Sequence, residues 1–132
     1  MIDVENELFT VVATALRSSF SNIYVTGEAV DAPSKFPCVV FYEDDNYISQ
    51  VDMDSSWDEK FAVLRYRVDI YSNKASGRKS EAKAIRAVIE QLLYRRNFTR
   101  FSSTPINDMS DNIYHVVTTY RVKTDGTSFY RV

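Results

Sequence analysis

Histidine and cysteine occur once each among the 132 residues, as His115 and Cys38, and glycine and proline only three times each. A lone thiol cannot close an intrachain disulfide. Metal sites built from several His or Cys ligands cannot be assembled from one of each. No Gly-x-Ser-x-Gly, His-Glu-x-x-His or Cys-x-x-Cys pattern occurs, so the usual hydrolase, metalloprotease and redox signatures are missing. Ser76-Gly77-Arg78-Lys79-Ser80 comes nearest to a phosphate-binding loop, but it lacks the earlier glycine and the Gly-Lys-Ser/Thr ending. No apolar run approaches the roughly 18 residues of a membrane helix. The first residues carry Asp3, Glu5 and Glu7 instead of a basic stretch followed by an apolar one, so the expectation is no secretory leader and a reducing cytoplasm as the place of synthesis. Without a secretory route, the glycosylation-like Asn97-Phe98-Thr99 has no reader. The chain is expected to be no enzyme and to need no cofactor.

What is present is ordinary for a folded domain: 45% hydrophobic and 26% charged residues. The length suits one domain spanning residues 1–132, which buries enough surface to fold without staples. Net charge is −2, whereas a dedicated nucleic-acid binder is normally basic. Cys38 follows Pro37 and leads the apolar run Val39-Val40-Phe41, which marks it as a small buried hydrophobe.

Periodicity supplies the elements. Val4, Leu8, Val11, Val12, Ala15 and Leu16 recur at helical spacing, predicting a helix from about Val4 to Phe20 with Asp3 as its cap. A short strand at 23–26 and a strand at about 38–47 follow. Residues 61–71 alternate, with Ala62, Leu64, Tyr66, Val68 and Ile70 on one side and Arg65, Arg67 and Asp69 on the other, the mark of a strand with one buried face. A second helix over 78–95 carries the stripe Ala82, Ile85, Ile89 and Leu92. A strand near 98–103 leads through a polar turn to a last long strand at Tyr114, Val116, Thr118, Tyr120 and Val122, and 127–131 adds a short one. The order α-β-β-β-α-β-β predicts an α+β domain: a mixed, mostly antiparallel sheet with two helices on one face. The segment 61–103 makes one crossover, and the other neighbours pair as hairpins.

The exposed sheet face is then expected to present Phe61, Arg65, Arg67, Tyr71, His115, Arg121 and Lys123. His115 reads as a surface or interface histidine, because it falls on the odd-numbered side. Arginine with aromatics suits a protein interface or nucleic acid, but the glycine that an RNA-reading strand needs between its basic and aromatic residues is absent from both long strands. Arg78 and Lys79 put positive charge at a helix start, where the dipole disfavours it, so solvent, an anion or an acidic partner must compensate. Seven carboxylates against the single cation Lys60 leave residues 43–60 at −6 and the rest of the chain at +4. Asp52, Asp54 and Asp58 resemble alternating calcium ligands but lack the glycine and final glutamate of an EF-hand.

Several stretches carry a family resemblance: 23–28 (Ile-Tyr-Val-Thr-Gly-Glu), 32–39 (Ala-Pro-Ser-Lys-Phe-Pro-Cys-Val), 66–74 (Tyr-Arg-Val-Asp-Ile-Tyr-Ser-Asn-Lys) leading into 76–81, then Phe98-Thr99-Arg100, Tyr120-Arg121 and Asp125-Gly126-Thr127. In this order, over nearly the whole chain, they resemble the small tail-terminator (tail-completion, or neck) proteins of long-tailed phages. The resemblance implies a non-enzymatic virion protein, assembled in the host bacterial cytoplasm. It implies a closed ring, typically a hexamer, that stops growth of the tail tube. The partners so implied are further copies of the chain, the tube protein and a head-tail connector or head-closure protein, with DNA passing non-specifically through the hole and no membrane involved. Another neck or head-closure component is the neighbouring alternative. A nucleic-acid-binding module using the basic sheet face is the alternative from a different class. Segregated charge suits a head-to-tail contact. On this reading Arg65, Arg67, Arg78, Lys79, Arg121 and Lys123 are candidates for the subunit interface. Asp52, Asp54 and Asp58 are expected to become ordered on assembly and to face either the channel or a neighbour's Arg78 and Lys79.

Overall fold

The computed structural model describes residues 1–48 and 61–132. Its elements run α1 (Glu5–Ser19), β1 (Tyr24–Thr26), β2 (Cys38–Ile48), β3 (Ala62–Ser72), α2 (Arg78–Arg95), β4 (Thr99–Ile106), β5 (Tyr114–Thr124) and β6 (Phe129–Tyr130). The six strands form one mixed, mostly antiparallel sheet in the order β1-β2-β3-β5-β4, with β6 also on β5, and both helices pack on one face. The α+β reading of the sequence holds.

The two central strands are β3 and β5, paired antiparallel along their full length from Ala62↔Thr124 to Ser72↔Tyr114. Because β4 also runs antiparallel to β5, β3 and β4 are parallel with β5 between them, and α2 is the crossover that joins them. β2–β3 and β4–β5 are antiparallel, as expected for hairpins. β1 departs from expectation: it pairs with β2 in parallel, Tyr24↔Cys38 to Thr26↔Val40. The eleven intervening residues, 27–37, carry the chain back to the same end of the sheet, which a tight hairpin turn does not do.

The main core lies between the helices and the even-numbered side chains of β3 and β5. Val4, Leu8, Val12, Ala13 and Leu16 from α1 and Ala82, Ile85, Ile89 and Leu93 from α2 meet Leu64, Tyr66, Ile70, Tyr120 and Val122 there. An aromatic chain runs through it, Phe41 stacked on Tyr66 at 5.2 Å and Tyr66 edge-on to Phe98 at 5.9 Å, a geometry that adds to simple area burial. Leu93, not Leu92, ends the buried stripe of α2. The helix stop explains this. Asn97 sits at φ +67, and the amides of Phe98 and Asn97 return to the carbonyls of Leu93 and Tyr94, which is a Schellman stop. The motif brings its two apolar members, Leu93 and Phe98, into the core together.

At its other end α2 begins after Gly77, which sits at φ +86, a conformation that suits glycine. The buried Ser72 hydroxyl at the end of β3 donates to Glu81 in the first turn at 2.7 Å. α1 begins one residue later than predicted: Val4 occupies the cap position, and Asp3 accepts the Glu5 amide from one residue further out. β1 ends at Thr26, opposite Val40, and further along β2, where a bulge lies between Glu43 and Asp45, the Glu43 amide donates to the Glu5 carboxylate at 2.7 Å.

Candidate interaction face

Alternation along β3 and β5 sends the odd-numbered side chains to the side of the sheet away from the helices. That outer face divides in two. Toward the start of β2 it is covered: Cys38, Val40 and Tyr71 form a second small core with Val30 and Phe36 of the 27–37 loop and Met109 and Ile113 of the 107–113 loop. Toward the end of β2 it stays open, with Tyr47 and Phe101 at 47% and 60% exposure.

The covered half corrects two expectations. Tyr71 is buried, and His115 is 3% exposed. The side-chain direction was right, but apolar loop residues fold over that side. His115 lies with both ring nitrogens 2.8 Å from carboxylates, Nε2 from Asp69 and Nδ1 from Asp108, and its ring stacks on Tyr71 at 4.0 Å. Carboxylates only accept, so when both bonds are made both nitrogens donate and the ring is an imidazolium. Burial works against that charge, but the two carboxylates outweigh it and hold the His115 pKa above its ordinary value. Asp69 is buried too, yet its pKa is lowered, because His115 and a bidentate Arg67 (both bonds 3.1 Å) sustain its charge. Burial, with the Asp69 charge behind it, pushes the Cys38 thiol up to about 11, so this thiol is no ready nucleophile.

The open half holds three of the six cations read from the sequence as interface candidates, each with a contact inside the subunit. Arg65 and Arg121 face each other across β3 and β5. That like-charge pairing is relieved because Asp44 takes Arg65 at 2.9 Å while Arg121 lies over the Phe101 ring at 4.6 Å. Lys123 sits over Phe61 at 4.8 Å, and Phe61 meets Tyr130 edge-on. Arg67 is the exception to the expected grouping, being turned toward Asp69 and the covered half. Arg78 and Lys79 lie elsewhere, at the start of α2. Arg78 is compensated there by the Asp111 carbonyl at 3.1 Å, and Lys79 is exposed. The face and the helix start are therefore two separate basic regions. Asp52, Asp54 and Asp58 lie outside the described residues.

Beside the open half runs β4, a full edge strand whose residues are exposed except for the half-buried Ser103. Among the described residues no strand pairs with its outer side. A bulge at Arg100/Ser102 and Pro105 interrupt that edge, two devices that discourage indiscriminate strand addition. Next to it, a groove of about 590 Å³ between α2 and β4 is bordered by Tyr94, Phe98 and the Glu90–Arg100 ion pair. Among the described residues no group of three or more His, Cys, Asp or Glu could hold a metal ion, and no helix is long and apolar enough to cross a membrane. No protein-family model matches the chain, and no curated protein matches it in sequence.

Proposed function

We propose that this protein is a ring-forming structural subunit of a phage tail or neck, a tail-terminator-like protein without enzymatic activity. Its copies would associate head to tail on the end of the tail tube and present a docking surface to the head connector or head-closure protein. The observation that carries the reading is the open flank, where the exposed Phe101 and the half-buried Arg65, Arg121, Lys123 and Phe61 on the outer sheet face continue into the edge of β4. Aromatic and arginine side chains on an uncovered sheet next to a strand edge are what a protein partner covers. A contact between two different patches of the same chain closes into a ring when its rotation closes. The resemblance to tail-terminator proteins supports the same conclusion independently of the fold.

Because the face cations already have partners within the subunit, charge is expected to guide and orient the contact, and the aromatics to supply its core. Electron microscopy of assembled particles tests the reading directly. The expected image is a ring of this chain at the head-proximal end of the tube. A lone copy, or an open filament, would sink it. The pairing of cations with rings on this face also suits nucleic acid, in keeping with loose passage of DNA through a ring. Sub-micromolar, base-selective binding to a short duplex at physiological salt would favour a nucleic-acid module instead.

A further inference from the structure

The 107–113 loop joins β4 to β5 but does not stand off the sheet as hairpin connections usually do. It folds back over the outer face, where Met109 and Ile113 close the small core around Cys38, Val40 and Tyr71. Two polar tethers hold it there: Asp108 to His115 Nδ1 at 2.8 Å, and the Asp111 carbonyl to Arg78 at 3.1 Å. An open recess of about 450 Å³ adjoins the loop, bordered by Arg78, Ile106, Asp111, Ile113 and His115.

We propose that the 107–113 loop is a proton-controlled flap, latched by a charged His115 that bridges Asp69 and Asp108 and released when the imidazole gives its proton to solvent. A neutral ring has one N–H and one lone pair. One of the two carboxylates must then face a lone pair across a short contact, which is repulsive. Asp69 cannot easily retreat, since it is 6% exposed and doubly bonded to Arg67, whereas Asp108 is 46% exposed and on the loop. Asp108 is the group that leaves, and the loop goes with it.

The groups facing the imidazole from each neighbouring element favour its charged form on balance. β3 contributes Asp69, Arg67 behind it, and Tyr71 stacked on the ring. The loop contributes Asp108 and Asp111, α2 contributes Arg78, and β2 contributes the neutral Cys38 and Tyr42. Carboxylates touch the ring, while the guanidiniums act through Asp69 or across the recess. Since the folded protein favours the imidazolium, the latch is complete below the ordinary histidine value of 6.5 and is lost as pH rises through the higher folded value.

One histidine makes the test clean. The ring proton resonances of His115 in the full chain should titrate with a midpoint above 6.5, and the Met109 methyl resonance should move with the same midpoint. A midpoint at or below the ordinary value, or a Met109 methyl that ignores the titration, overturns the proposal. Cys38 beneath the flap supplies a second readout. At one fixed pH, so that the thiol's own titration cancels, Asp108→Ala, which leaves Nδ1 no partner on the loop, should label roughly tenfold faster than the unaltered protein, the factor that about 1.4 kcal/mol of lost closure gives. Asp111→Asn, whose contribution is a backbone carbonyl, should not change the rate. Equal labelling of Asp108→Ala and the unaltered protein, with unchanged amide protection in β3 and β5 to show that both are folded, also overturns it.

Discussion

At the scale of single residues, the group most sensitive to substitution is ionic and sits where the sheet's outer face is covered. Asp69 carries two obligations, to His115 and to Arg67, from a buried position. Replacing it by Asn leaves a buried cation facing an amide, and losing one partner of a buried pair costs on the order of 3–5 kcal/mol. Urea midpoints of Asp69→Asn and the unaltered protein measure this. The same group sets the pH profile. Asp69, with a lowered pKa, contributes stability that is present above the ordinary value of 3.8 and lost as pH falls through the folded value. His115 contributes below 6.5 and loses that contribution as pH rises. Stability should therefore be greatest between those limits and fall on both sides. In His115→Gln the alkaline fall should disappear; if it persists unchanged, the imidazolium is not its source.

At the scale of elements, α2 offers a sharp contrast between adjacent leucines. Leu93 is buried by the Schellman stop against Phe98, while Leu92 is only partly buried. Leu93→Ala should cost about 2–5 kcal/mol and Leu92→Ala clearly less, measured by chemical denaturation. The simple stripe places Leu92 in the core because an unbroken helical repeat does not anticipate how its end is anchored. Elsewhere the elements were legible. The apolar even positions of β3 and β5 mark both strands, although burial alternates only over 64–68 and 118–124, and the second helix is bounded as the sequence suggests. Two features were not legible. Three residues of β1 carry no information about strand direction, so its parallel pairing came only with the structure. Strand alternation tells which way His115 points but not what lies over it. A signal for the cover did exist: Val30, Phe36, Met109 and Ile113 are apolar residues in segments that read as loops, and each needs somewhere to be buried. Asp69, alone and acidic between Val68 and Ile70, was the matching sign on the strand.

At the scale of the molecule, the layout leaves one flank open. The helices close one face of the sheet, loops close half of the other, and the open half adjoins the edge strand β4. The cations expected to act as one interface are split between the open face and the start of α2, with Arg67 turned to the covered half. In the proposed ring, one of these two basic regions would meet the neighbouring copy and the other a different layer of the particle. The most direct test of a ring-forming structural role is the native mass of the protein, alone and after mixing with its tail tube protein. The predicted result is a closed oligomer of this chain, hexameric on the family resemblance, on tube ends in the mixture, whether or not the free protein is monomeric. A chain that stays monomeric and unbound in the presence of tube ends would contradict the account.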